Sequence, residues 1–538
     1  MVVDNKRPDG TLSGLVRNQR SWDSARKRKL LNMICRIAFM SPILAALAVT
    51  AQSALPTSAD ESLKAQYCAQ GFFVSQPLPV EGENVTFHVR ATGTGPAPAG
   101  RLLIKDAAGA VAKEAPLVFK KDGERFAADV AWSPSRNGMY TAEASLTTDG
   151  YVFENTQTKS LQLLVPVIVK DRIVHFPWYR TSNYLRWMTV CTSTGKESVP
   201  ALRERGIKAL QWTFGGMQLH HQDWMKGKSL EEYETYVDGY YKAALSATDF
   251  DGVGLDEFGG YVGTGEEQWT HAGLEVLARL RKDPENKGFV AAWNGGMLRP
   301  DRAQLYRDAC DLLLQETYVF GAMQYPGWLG TENIYAMLDD KIMAGARGSD
   351  ILIPSYGSGC TTIQCLDIVG MPAKMHTGEI EQVVRYLRRI VPEMRGLGFY
   401  NGTDFPEGST PEMIEKLERF GDEMCLKYFI KPVVTLMPNS LWVEQDSEGK
   451  ALVCVGVSNI GAMDSGPVKI RLYDNGKKVG VVTAEKVPAG PSGHVNRIVL
   501  KSRVRLKSGQ HDLEAVVESA PGSTVLDGQT ATKWYLEP

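Results

Sequence analysis

No apolar run in the chain reaches the roughly 20 residues that a helix needs to span a bilayer. The longest, Ile37 to Val49, is shorter and contains Pro42. A Gly-x-Ser-x-Gly elbow and a P-loop are both missing, and Gly252-Val253-Gly254 lacks the third glycine of a dinucleotide fingerprint. The usual sequence signs of serine hydrolysis, phosphoryl transfer and nicotinamide chemistry are therefore not present, and no cofactor is expected. No His-x-His pair occurs either. A metal-dependent hydrolase would have to use the adjacent His220-His221, Asp223 in the same loop or the isolated His175, too few well-placed ligands to assign a metal. Cysteine is sparse, with eight in 538 residues, and setting aside Cys35 leaves an odd number that cannot all pair. Cys360 and Cys365 flank a short loop, where a local disulfide and two buried thiols are both open readings. Basic charge is also scarce outside the first 54 residues, which hold nine basic and three acidic residues; the remaining chain has 51 basic against 59 acidic. That balance argues against a nucleic-acid partner.

What the sequence does contain is ordinary folded-protein composition, 43% hydrophobic and 9% aromatic, with length for several domains. At its start, Arg26-Lys27-Arg28-Lys29 precedes the apolar run, which ends in small residues at Ala51 and Ala54. This reads as a signal peptide region over 1–54, cleaved near Ala51 or Ala54, with Met33 as an alternative start. The expected location is secreted or periplasmic, with no membrane span in the mature protein.

Three textures follow. Residues 70–168 carry short alternating strands punctuated by Pro, Gly and Asn, which predicts an immunoglobulin-like β-sandwich. From 171 to 430, apolar runs alternate with amphipathic helices, predicting a parallel sheet closed as a (β/α)8 TIM barrel. Its expected strands are Ile173 to Trp178, Arg186 to Val190, Ile207 to Trp212, Gly252 to Glu257, Phe289 to Trp293, Leu312 to Tyr318, Ile351 to Pro354 and Gly396 to Tyr400. No obvious helix separates the first two. Residues 431–538 return to strands, with a strong hairpin turn at Asp474-Asn475-Gly476, and predict a second sandwich.

In a barrel, chemistry belongs at the carboxyl ends of the strands. Those ends read Asp256-Glu257-Phe258-Gly259-Gly260, Trp293-Asn294-Gly295, Glu316-Thr317-Tyr318, Ser355-Tyr356-Gly357 and Tyr400-Asn401-Gly402-Thr403-Asp404, with Trp212 closing an earlier strand. Carboxylates, aromatic rings and amides on one rim suit glycosidic hydrolysis: an acid protonates the leaving oxygen, a second carboxylate supports the oxocarbenium centre, and ring faces stack on sugars. The expected catalytic residues are Glu257, Asp256 and Glu316. Trp212, Trp293, Asn294, Tyr318, Tyr356, Asn401 and Asp404 are the expected substrate contacts. Each has a plainer alternative: a strand-end Asp-Glu also serves as a helix cap or ion pair, and the tryptophans also serve as barrel filling. Alternation along a regular strand lets only one of Asp256 and Glu257 face the barrel axis, unless the strand ends there. Paired instead with Glu316, a separation of about 5 Å would mean retention and roughly 6.5 to 9.5 Å inversion.

The segment Asp251-Gly252-Val253-Gly254-Leu255-Asp256-Glu257 resembles the fourth-strand motif of family 18 chitinases at Asp251, Gly252 and Asp256. It departs from that motif at Gly254 and in the early Glu257. The adjacent Asp256-Glu257 is also similar to the acid pair of family 20 hexosaminidases, which implies Glu257 as general acid and Asp256 as the orienting residue. The stretch Val455-Gly456-Val457-Ser458-Asn459-Ile460-Gly461 with Ile470-Arg471-Leu472-Tyr473 resembles the CARDB domains of bacterial surface proteins. Together these imply a glycoside hydrolase acting on a polysaccharide or glycan. The rival from another class is a non-catalytic carbohydrate-binding or adhesion protein on the same barrel, and a metal-dependent hydrolase stands third.

Overall fold

The computed structural model describes residues 71–536, except 180–185, 193–194, 215–224, 226, 248, 257, 259–266, 295–302, 318–360, 368–376, 401–410 and 492–494. Residues 71–168 form two antiparallel sheets. Their long strands, Val85–Gly93, Arg125–Trp132, Ala99–Asp106 and Gly138–Leu146, alternate buried and partly exposed positions, and the inward residues make one shared core around Phe87, Trp132, Tyr140 and Phe153. Burial of one face per strand is what the alternating sequence demands.

The next eight strands close into a parallel barrel. They are β1 (Pro177–Trp178), β2 (Val190–Cys191), β3 (Lys208–Phe214), β4 (Gly252–Asp256), β5 (Phe289–Asn294), β6 (Leu312–Thr317), β7 (Thr361–Asp367) and β8 (Leu397–Tyr400). The seam is the β1–β8 pair, where Trp178 is in register with Phe399 and their rings stack at 4.1 Å. Helices α1 (Val199–Glu204), α2 (Leu230–Ser246), α3 (Glu267–Leu280), α4 (Ala303–Ala309), α5 (Thr377–Ile390) and α6 (Pro411–Cys425) follow β2, β3, β4, β5, β7 and β8. None of the described helices is long and apolar enough to cross a membrane. Helix α2 starts at a capping box, in which the Ser229 hydroxyl accepts from the Glu232 N–H and the Glu232 carboxylate accepts from the Ser229 N–H.

Two strand assignments differ from the sequence reading. The seventh strand is Thr361–Asp367 rather than Ile351 to Pro354, so Tyr356 precedes that strand in the chain instead of ending it. The run Thr361-Thr362-Ile363-Gln364-Cys365-Leu366 is β-branched and mixed in polarity, and such a strand is outscored in sequence by the purely apolar Ile351-Leu352-Ile353. The first strands are also far shorter than expected, with two residues each, and the β1–β2 connection contains no helix among its described residues. Its backbone is instead pinned from outside by Asp422 on α6, which accepts from the Arg186 N–H at 2.8 Å, the Arg186 Nε at 2.7 Å and the Trp187 N–H at 3.3 Å.

From Val433 onward two further sheets form. Strands Val468–Asp474 and Lys477–Ala484 meet at Asn475 (φ 47°) and Gly476 (φ 74°), two left-handed residues that make the expected tight hairpin. A continuous core joins this region to the barrel: Ile430, Val433, Ile460, Met463 and Leu526 pack with Phe176, Leu387 and Tyr428.

Candidate active site

Side-chain alternation sorts the barrel strands into an outer and an inner set. Val253 and Leu255 of β4, Val290 and Ala292 of β5 and Leu313 of β6 pack outward against α2, α3 and α4. The inner set is a separate small cluster of Val190, Leu210, Ala291, Trp293, Leu312 and Leu314, with Trp212 packed on it. Gly254 belongs to the inner side: a Cβ there would stand 2.9 Å from the Thr192 methyl and 3.3 Å from Cζ3 of Trp293. The missing side chain is what lets the Trp293 ring cross the interior at this level.

Above that layer the interior is aromatic. Trp212 meets Trp293 edge-on at 5.4 Å, and Tyr179 meets Trp212 edge-on at 4.6 Å. Trp293 is fully buried within the inner cluster. Trp212 is partly exposed and remains available from above. Tyr179 was not among the expected residues. It directly follows Pro177–Trp178, a strand too short for alternation to reveal which neighbouring residues face inward.

Asp256 is the last residue of β4, in register with Phe214 of β3, and lies two positions beyond Gly254. Alternation therefore places it on the interior side, at the carboxyl rim, where it is partly exposed. Regular alternation would also turn Phe258 inward. Instead Phe258 is fully buried in the outer cluster, near Tyr241 and Tyr306, while its N–H donates to the Trp293 carbonyl at 2.7 Å. The alternation breaks between Asp256 and Phe258, which is the condition for two neighbouring carboxylates to share one rim. The next described helix begins only at Glu267, so Asp256 does not cap it.

Other strand ends bring polar residues to the same rim. Asn294 ends β5 in register with Gln315; Glu316 on β6 is in register with Cys365; Asp367 ends β7 opposite Tyr400 at the end of β8. Asp367 was missed because its strand was placed elsewhere in the sequence. Glu257, Tyr318, Tyr356, Asn401 and Asp404 lie outside the described residues, as do His220, His221 and Asp223.

The opposite end of the barrel has its own acids, and these are occupied. Asp251, matched to the chitinase motif, sits just before β4, where its carboxylate accepts from the Ala209 N–H and from Arg203 Nε, both at 2.8 Å. Asp311 does the same before β6, accepting from the Val290 N–H at 2.8 Å and Arg281 Nη2 at 2.7 Å. Both tie neighbouring strands and a helix together and are remote from the rim. Among the described residues no group of three or more His, Cys, Asp or Glu side chains could hold a metal ion. Cys191, Cys310, Cys425 and Cys454 are buried thiols that are not part of a disulfide.

No protein-family model matches the chain, and no curated protein does. Among solved structures it is similar to a cycloisomaltooligosaccharide glucanotransferase from Paenibacillus sp., at 9% identity and TM-score 0.32 over 87% of this chain and 72% of that one. It is similar to a β-glucuronidase from Bifidobacterium dentium at 11% identity and TM-score 0.28, over 61% and 60% of the two chains. A third is the cell-surface chitinase of a Paenibacillus sp., at 8% identity and TM-score 0.28, over 85% of this chain and 50% of that one.

Proposed function

We propose that the chain is a glycoside hydrolase whose site is the carboxyl rim of the barrel. The observation that carries this reading is Asp256: an inward, partly exposed carboxylate ending β4, above the aromatic floor of Trp212 and Tyr179, where strand alternation breaks. A carboxylate beside aromatic faces at the carboxyl end of a parallel barrel is the setting that glycosidic cleavage uses.

In this reading Glu257 is the general acid and gives its proton to the departing glycosidic oxygen as the bond to the anomeric carbon breaks. Asp256 orients the substrate or supports the positive charge at that carbon. Water then bonds to the anomeric carbon, and its proton returns to the carboxylate. Glu316 on β6 is the alternative partner. Trp212 stacks on a sugar ring, and Asn294, Tyr318, Tyr356, Asn401 and Asp404 are assigned to hydroxyl contacts. The substrate class is a polysaccharide or glycan, reached outside the cytoplasm after removal of the 1–54 segment. The sheets before and after the barrel, divided near residues 168 and 431, contact polymer or hold the barrel in place. The test is hydrolysis across a panel of polysaccharides and aryl glycosides by the protein and by Glu257→Gln and Asp256→Asn. Sugar binding without turnover by all three proteins would make the barrel a carbohydrate-binding module instead.

A further inference from the structure

In the C-terminal region, strand Asn496–Arg503 turns Ile498 and Leu500 into the core and leaves Arg497, Val499, Lys501 and Arg503 exposed on the other side. Strand Ala451–Asn459 lies beside it and Leu441–Gln445 beyond, with Trp442, Cys454 and Lys501 in register across the three. That row sets Trp442, partly exposed, on the same outward face as the exposed residues.

The indole is fixed there by its neighbours. Its Nε1 donates to Glu444 Oε1 at 2.9 Å, and Glu444 Oε2 accepts from Lys501 Nζ at 2.5 Å. The Arg497 guanidinium stands 5.7 Å from the centroid of the ring. Gly456 makes that approach possible. A Cβ at Gly456 would lie 2.8 Å from Arg497 Cδ, so the arginine stem crosses the place where a side chain would stand. The charges on this face are not all balanced. Lys501 pairs with Glu444, and Arg503 pairs with Asp446 at 3.1 Å, whereas Arg497 has no carboxylate partner among the described residues.

We infer that this face binds an acidic polysaccharide, with a sugar ring against Trp442 and a carboxylate or sulfate group accepting from Arg497. An indole supplies an apolar surface for a pyranose ring, a guanidinium matches an oxyanion through paired N–H groups, and Glu444 and Lys501 at the ring edge can meet hydroxyls. Duplex nucleic acid draws its affinity from many neutralised phosphates, and this face offers one unpaired cation beside one ring. The choice of a glycan rests on the hydrolase reading above, but binding on this face needs no turnover.

The test is affinity electrophoresis of the whole protein through native gels containing polygalacturonate, alginate, chondroitin sulfate or neutral dextran, at physiological salt. Retention by an acidic polymer and not by dextran, weakened about tenfold in Arg497→Gln and measurably in Gly456→Ala, is the expected result. The uronate gels and the sulfated gel show which anion the site takes. Arg497 is exposed, so Arg497→Gln should keep the parent's unfolding midpoint, which separates lost binding from lost folding. No retention by any acidic polymer, equal retention by dextran, or retention that Arg497→Gln leaves unchanged overturns the inference. So does binding of duplex DNA or phosphatidylglycerol vesicles as tight as that of the glycans. Retention through Arg497 without hydrolysis would support this inference and overturn the rim reaction; hydrolysis without such retention would overturn this inference alone.

Discussion

The Trp293 ring lies across Gly254 inside the barrel, at a distance that leaves no room for a side chain on β4. The floor beneath Asp256 depends on this fit. Gly254→Ala forces a methyl to 2.9 Å from the buried Thr192 methyl and 3.3 Å from Trp293, both tighter than comfortable packing. Overpacking of this kind costs about 1–3 kcal/mol, and thermal denaturation should show the loss. Adding Thr192→Ser removes the nearer methyl while keeping the hydroxyl that donates to the Trp178 and Tyr179 carbonyls, and should recover part of it.

Asp251 and Asp311 make the same connection two strands apart, each holding the preceding barrel strand through a main-chain N–H and a helix-borne or helix-flanking arginine. Charged hydrogen bonds of this type are worth about 1.5–3 kcal/mol. Asp251→Asn and Asp311→Asn should each destabilise the barrel by about that amount. The two share no partner, so the double variant should show the sum in chemical denaturation. Neither change should abolish hydrolysis, since both acids stand at the end away from the rim.

Arg388 supplies four hydrogen bonds to main-chain oxygens on both sides of the junction between barrel and C-terminal sheets. Arg388→Leu leaves those carbonyls buried and unpaired, at about 1–3 kcal/mol for each that finds no water. The expected result is early exposure of residues 426–463 to proteolysis or hydrogen exchange, before the N-terminal sheets open. Uniform opening of all regions together would count against a local junction role.

His175 is held down to about 4, chiefly by desolvation, with Lys208 and Arg395 adding to it. Its ordinary value is near 6.5, so between pH 6.5 and 4 the unfolded chain binds the extra proton and stability falls as the pH is lowered. Asp422 acts in the opposite sense. Burial pushes its carboxyl up to about 6 against the pull of Arg186, so its contribution declines as the pH rises towards 6. The difference between the unaltered protein and His175→Gln isolates the histidine. Measured at constant ionic strength, the variant should lose less stability than the parent between pH 6.5 and 5.

The strands were legible wherever alternation or an apolar run had room to show itself. The long strands of the N-terminal sheets and β3 to β6 fall where hydrophobic periodicity places them, and Asn475-Gly476 marks its hairpin from sequence alone. β1 and β2 were obscure because two residues carry no period. β7 was misplaced because its alternating polar residues looked less like a barrel strand than the apolar run before it. At the candidate site, the place of Asp256 at the end of its strand and of Trp212 on the neighbouring strand was readable from sequence. The burial of Trp293 was not, since it follows from Gly254 on a neighbouring strand, a contact between residues 39 positions apart in sequence.

The most direct test is the rate of glycan hydrolysis by the purified protein beside Glu257→Gln and Asp256→Asn. The account predicts turnover of at least one polysaccharide or aryl glycoside, with each variant slowed by about 10²- to 10⁴-fold while still binding the sugar. Turnover that both variants retain in full would contradict it.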